Sequence, residues 1–140
     1  MPFLFDTDAI SDLLRPRPSP AFVEWLGSLG RDQQMTSAIV VGELYKGAFR
    51  SPNRERHLAG IEEQILPRLT VLPFDTRVAR TFGEIRADLE ARGLLLPDAD
   101  LQIAATATFH GLTLVTGNLR HFERIPGLSL SRVFAEARSG

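Results

Sequence analysis

The chain has 140 residues, 44% of them hydrophobic and 24% charged, and a formal net charge of −1. That length suits one domain with a core of its own, while the absence of cysteine excludes a disulfide framework, a thiolate metal site and a cysteine nucleophile. A near-neutral charge also argues against holding nucleic acid by bulk electrostatics, so any such contact has to be local.

Phe3-Leu4-Phe5 is a short continuous apolar run that stops at Asp6-Thr7-Asp8, the pattern of a strand buried on both faces. With no basic stretch before it, this start does not resemble a signal peptide, and no apolar run approaches the ~20 residues of a membrane span. The expectation is a soluble protein of the reducing cytoplasm. A helix fits Ala9 to Leu14, three prolines at 16, 18 and 20 interrupt it, and Ser19 can cap a second helix that carries Phe22, Val23, Leu26 and Leu29 on one stripe. A short strand near Met35-Thr36 precedes Ser37, the predicted cap of an apolar helix that includes Val40, Leu44 and Ala48. Glu43 sits on its polar side.

Asn53 is a further predicted cap, for a helix with Leu58, Ile61 and Ile65 at helical spacing that Pro67 closes. Leu69 to Leu72 reads as strand. Asp75 then caps a long amphipathic helix with Val78, Phe82, Ile85 and Leu89 inward and Gly93 beyond its end. A small-residue helix from Ala99 to Phe109 ends at Gly111, and Leu112 to Val115 is the clearest strand. Past Gly117 the pattern gives only a Pro126-Gly127 turn and a short strand or tail around Leu128 to Leu130. Residues 1–140 therefore read as one domain, with a core over about 3–130 and a tail over about 131–140. Short strands alternating with helices imply α/β architecture, a parallel sheet covered on both faces.

In such sheets, ligands gather beyond the carboxyl ends of the strands. Asp6 follows the first strand, Glu43 lies early in the helix after the second, Asp98 and Asp100 open a later helix, and Asn118 follows the Leu112 to Val115 strand. Carboxylates brought together this way repel one another unless a cation joins them. All-oxygen ligands suit Mg²⁺ or Mn²⁺, and such an ion can orient a water and neutralise charge on a phosphoryl oxygen, the chemistry of phosphodiester hydrolysis. Simpler roles compete at some positions: Asp75 is best read as a helix cap, Asp98 equally as cap or ligand, and Asp12 as a solvated residue of the first helix. Trp25, Leu26, Leu29, Tyr45 and Phe49 add up to much apolar surface, so some are expected at a protein interface.

Four segments carry a resemblance: Phe5 to Leu14 (FDTDAISDLL), Thr36 to Leu44 (TSAIVVGEL), Asp100 to Ala107 (DLQIAATA) and Leu114 to Asn118 (LVTGN). In order and spacing they resemble PIN-domain ribonucleases, specifically VapC-type toxins of bacterial toxin–antitoxin pairs, over nearly the whole chain. The resemblance implies a PIN-like three-layer α/β/α sandwich with a short central parallel sheet. It implies that Asp6, Glu43 and Asp100 bind the metal, with Asn118 as a further catalytic residue and Thr116 as a substrate contact. It also implies RNA as substrate and a cytoplasmic homodimer held inactive by a cognate VapB-type antitoxin. This sequence departs from the family pattern at position 121, where His stands in place of a frequent Asp.

Two other readings use the same residues. Asp6-Thr7-Asp8 after a buried strand also looks like the start of a haloacid-dehalogenase-type phosphatase, with Asp6 as nucleophile and Asp8 as acid. That fold needs a late basic residue, whereas the only lysine is Lys46. A non-catalytic binding module of the same fold is the other reading, and the retained set of Asp6, Glu43 and Asp100 favours catalysis over it.

Overall fold

A computed structural model describes residues 2–139. Its sheet is built around β1 (Phe3–Phe5), flanked by β2 (Gln34–Ser37) and β4 (Thr113–Val115), with β3 (Thr70–Leu72) and β5 (Leu130–Ser131) at the edges. The order is β3-β2-β1-β4-β5, and every pairing is parallel. β1 thus has a neighbour on each side, Phe3 standing opposite both Gln34 and Thr113. Successive strand residues face opposite sides of a sheet. Leu4 and Phe5 are both buried, so helices must cover both faces, as expected for an α/β sandwich.

Eight helices are seen among the described residues: α1 (Thr7–Leu13), α2 (Pro20–Gly27), α3 (Ala38–Arg50), α4 (Arg54–Ala59), α5 (Thr76–Ala91), α6 (Asp98–His110), α7 (Leu119–Phe122) and α8 (Val133–Ser139). Local chemistry sets their ends. Ser37 Oγ accepts from the Val40 amide at 3.1 Å and an Asp75 carboxylate oxygen from the Val78 amide at 3.0 Å, as predicted. Gly111 adopts φ 66°, a left-handed conformation that other residues reach only at a cost, and closes α6 with the Leu112 amide on the Ala107 carbonyl. α4 runs on through a π-helical segment, Gly60–Ile65, and a 3₁₀ turn at Pro67.

On one side of the sheet, Phe5 packs on Phe22 of α2, and Phe22 in turn packs on Phe134 of α8 with ring centres 4.8 Å apart. Trp25 packs edge-on to Phe3 at 4.9 Å, Leu26 is buried, and Leu29 lies against the same core. Leu26 thus belongs to the interior and Trp25 and Leu29 pack half-buried against it, so of the five residues from which some interface surface was expected, Phe49 is the exposed one. Phe49 is 52% exposed, stacked beside Tyr45. On the other side α5 packs along α6.

Four further readings need correction. Ser19 does not cap α2 with its side chain. Instead its amide and hydroxyl both donate to Asp12, at 2.9 and 3.2 Å, and Arg15 adds a third bond at 2.8 Å. Asp12 is consequently buried at 4% exposure, where the sequence suggested a solvated acid, because the proline-rich turn brings the chain back over it. Asn53 starts α4 without a side-chain cap. Finally, the stretch read as a tail holds α8, whose Phe134 is buried against α2.

Asp12 therefore ties the 14–19 turn to α1. Asp12→Ala leaves the Ser19 amide without its acceptor and should lower unfolding free energy by about 1–3 kcal/mol. Asp12→Asn, which keeps an acceptor oxygen, should lose less, and urea melts of the two variants compare them directly.

Candidate active site

Asp6 is the first residue past β1, and its amide still belongs to the sheet, donating to Val115 of β4 at 3.1 Å. Its side chain turns back to cap α1, accepting from the Ala9 amide at 3.0 Å, and Thr116 adds a side-chain hydrogen bond. Only 5% of the residue is exposed. Burial is the main reason its pKa is pushed up to about 7, the nearby charges of Asp8 and Asp100 add to the rise, and the bonds from Thr116 and Ala9 partly offset it. A carboxyl in this state is poorly compensated by the protein alone.

Glu43 comes from the second turn of α3 and accepts a hydrogen bond from the Thr7 hydroxyl. Asp100 comes from the first turn of α6, where its Oδ2 lies 2.8 Å from Nε2 of His121 on α7. Asp6, Thr7, Asp8, Glu43, Asp100, Ile103, Asn118 and Phe122 together line one cleft of about 180 Å³. Asp6, Glu43, Asp100 and Asn118, all predicted at this edge of the sheet, are therefore brought together. Beyond Glu43 a second cleft, of about 350 Å³, is lined by Arg15, Arg56 and His57 among others.

Two predicted roles change. Thr116 was expected to touch substrate, yet it is fully buried, with its hydroxyl shared between Asp6 and the Asn118 amide at 3.0 Å. It shapes the site from beneath. Asp98 neither caps α6 nor reaches the cleft, since its carboxylate pairs with Arg86 at 3.1 Å on the exposed surface. Lys46, which a phosphatase reading would need, is exposed on α3 and takes no part in the cleft.

Thr7, Ile103, His121 and Phe122 were not singled out as site residues from sequence. Gly117 matters too: Arg138 of α8 donates to its carbonyl at 2.9 Å, and a Cβ at 117 would fall 2.3 Å from the guanidinium carbon. A side chain at 117 would displace the Arg138 guanidinium from that bond.

The donor set is all oxygen, hard and acidic, apart from His121 at its margin. Among the described residues no three His, Asp or Glu side chains converge closely enough to enclose an ion by themselves. Glu43 and Asp100 are instead engaged by Thr7 and His121. Such a cleft fits a cation that keeps several waters and needs only one or two carboxylates, which is how Mg²⁺ is commonly held. The raised pKa of Asp6 points the same way, because a nearby cation would favour its ionised form.

Known proteins share this fold and a good part of this sequence. A family model described as PIN domain matches residues 3–128. Ribonuclease VapC2 of Haemophilus influenzae is 38% identical over 126 residues, 90% of this chain and 93% of that one. The tRNA(fMet)-specific endonuclease VapC of Salmonella typhimurium is 37% identical over 128 residues, 91% and 95% of the two chains. In a crystal structure of VapBC2 from Rickettsia felis bound to a DNA fragment from their promoter, a chain 30% identical in sequence superposes with a TM-score of 0.87 over 94% of this chain and 98% of that one.

The state of Asp6 should be visible in stability. Because its folded pKa lies above the unfolded value of 3.8, its contribution is full below about pH 4 and is lost as pH rises through about 7. With divalent ions chelated, wild-type protein should therefore lose stability between pH 5 and pH 7.5, by roughly a few kcal/mol at most. Asp6→Asn should flatten that slope in thermal melts. Equal slopes for the two proteins would contradict the assignment of a raised pKa to Asp6.

Proposed function

The chain belongs to the PIN-domain family, and from that footing we propose that it is a Mg²⁺- or Mn²⁺-dependent endoribonuclease of the VapC kind, a toxin neutralised by a VapB-type antitoxin. The observation that carries this reading is the meeting of Asp6, Glu43 and Asp100 in one cleft at the carboxyl edge of the sheet. Asp6 and Asp100 are the proposed direct ligands, and Glu43 acts directly or through water. Bound there, the ion would supply an activated water and a counter-charge for the phosphoryl oxygens. The chain's own contribution is placement. β1 and the cap on α1 fix Asp6, Thr7 orients Glu43, and the Thr116 hydroxyl holds the turn that sets Asn118 at the rim. Arg56, beside His57 and the Asp12-paired Arg15 in the adjoining cleft, offers local positive charge suited to neighbouring phosphates of the strand.

The protein is proposed to work in the cytoplasm as a single PIN domain and as a homodimer. No helix among the described residues is long and apolar enough to cross a membrane, and the exposed Phe49 beside Tyr45 is surface suited to a protein partner. An antitoxin can exploit the acids directly, since an arginine fork can engage two carboxylates at once.

Loss of even an outer partner of a metal ligand costs about 10–100-fold, so loss of a ligand should cost roughly 100-fold or more in RNA cleavage. Asp6→Asn and Asp100→Asn should each show this in a metal-supplemented assay on purified RNA while circular dichroism remains that of the native fold. Cleavage at the wild-type rate by either variant would remove the proposed centre. Inhibition by a basic antitoxin segment should weaken as Mg²⁺ is titrated in at constant ionic strength. Inhibition that does not change would mean that the antitoxin covers the entrance without touching the acids.

A further inference from the structure

Asp100 differs from the other two acids in how it is held. Asp6 is fixed by its own strand and helix, and Glu43 by a hydroxyl of the neighbouring helix, whereas Asp100 is met by an aromatic ring 21 residues further along the chain. His121 Nε2 lies 2.8 Å from Oδ2 of Asp100, with both side chains largely covered, at 24% and 29% exposure. An ionised carboxylate only accepts hydrogen bonds, so the bond places a proton on Nε2 whatever the charge of the ring. Among the described residues no arginine or lysine pairs with this carboxylate, and Arg86 of α5, which meets the start of α6, is taken by Asp98 and Glu90.

The ring is well placed to act as a fixed donor. Its neighbour Phe122 is buried and packs edge-on to it, with ring centres 5.7 Å apart at 81°. The short helix that carries both is anchored on each side: the Asn118 amide donates to Thr116, and Ile125 is buried just beyond. An arginine fork could engage both oxygens of a carboxylate, but one imidazole N–H engages one. Among the described residues, the second oxygen of Asp100 has no hydrogen-bond partner, and the residue lines the acidic cleft.

We infer that His121 is a positioning residue of the divalent-cation centre, holding one oxygen of Asp100 so that the other is the one offered to the ion. The inference rests on the proposed function and adds to it the residue that orients a ligand. It also gives Nε2 a task other than ligation, since a nitrogen that donates to Asp100 has no free lone pair for a metal.

The test is Mn²⁺ binding by the full chain, followed by calorimetry and by the electron spin resonance of the bound ion. His121→Phe keeps a ring and removes the donor, and should weaken Mn²⁺ binding by about 10–100-fold. His121→Gln places an amide N–H at similar reach and should restore binding to within a few-fold of wild type. In cleavage assays the loss in His121→Phe should appear mainly as a higher metal requirement and be recovered at saturating Mn²⁺. The spin-echo spectrum of wild-type protein should show no ¹⁴N coupling from a directly bound imidazole. Wild-type affinity in His121→Phe, in a protein where Asp100→Asn does weaken binding, would overturn this inference alone. A ¹⁴N coupling that disappears in His121→Phe would overturn it in favour of direct ligation. Unchanged affinity in Asp100→Asn and Asp6→Asn would instead overturn the metal reading, and this inference with it. Should His121→Phe fail to fold, the Gln variant still decides: an affinity reduced as far as that of Asp100→Asn would refute a donor role that an amide can replace.

Discussion

A carboxylate set into the middle of a parallel sheet has given up most of its water, and that loss organises the structure around it. Asp6 sits where β1 ends between β2 and β4, and its ionised form is disfavoured by burial before any neighbour is counted. The backbone of α1 and the hydroxyl of Thr116 offset only part of the cost. The charges of Asp8 on α1 and Asp100 on α6 make matters worse electrostatically, and α3 brings Glu43 to the same edge. A fold that only had to be stable would not concentrate negative charge around a buried carboxyl. The cleft makes physical sense as half of a site whose other half is a cation.

The surrounding contacts share a pattern. Each acid has one oxygen or one face engaged by a neutral or weakly charged donor: an amide for Asp6, a hydroxyl for Glu43, an imidazole for Asp100. None is neutralised by an arginine, although arginine is the dominant basic residue of the chain. Arginines appear instead on the outside, pairing acids such as Asp75, Asp88 and Glu90. Charges in the cleft are thus oriented without being cancelled, and they stay available to a ligand.

Much of this was legible from residues close together in sequence. Strand β1 announced itself as an apolar run ended by acids, Ser37 and Asp75 as caps, and Gly111 as a left-handed terminus, because each obeys a rule that spans only a few residues. The rule that ligands collect at the carboxyl edge of a parallel sheet then pointed to Asp6, Glu43, Asp100 and Asn118, and the family resemblance sharpened that set. What stayed hidden depends on chain separation. The Thr7–Glu43 bond joins residues 36 apart and the His121–Asp100 bond residues 21 apart, and neither side chain has a local reason to be where it is. Asp12 looked solvated because its partners return to it only after the proline-rich turn. Helix α7 has four residues, too few to show a period, and α8 is held by tertiary contacts of Phe134 and Arg138 that no local pattern reveals.

The order of strands has a consequence for synthesis. β1 is made first, but one of its two partners, β4, comes from residues 113–115, and Asp100 with its helix is made only shortly before. An amino-terminal fragment stopping short of residue 98 holds Asp6 and Glu43 yet has neither the third acid nor the strand that fixes the first. The complete cleft therefore forms late and nearly all at once, after most of the polypeptide has been made. Abandoned translation products of this message should lack the assembled acid cleft, and with it whatever activity the finished protein owes to that cleft.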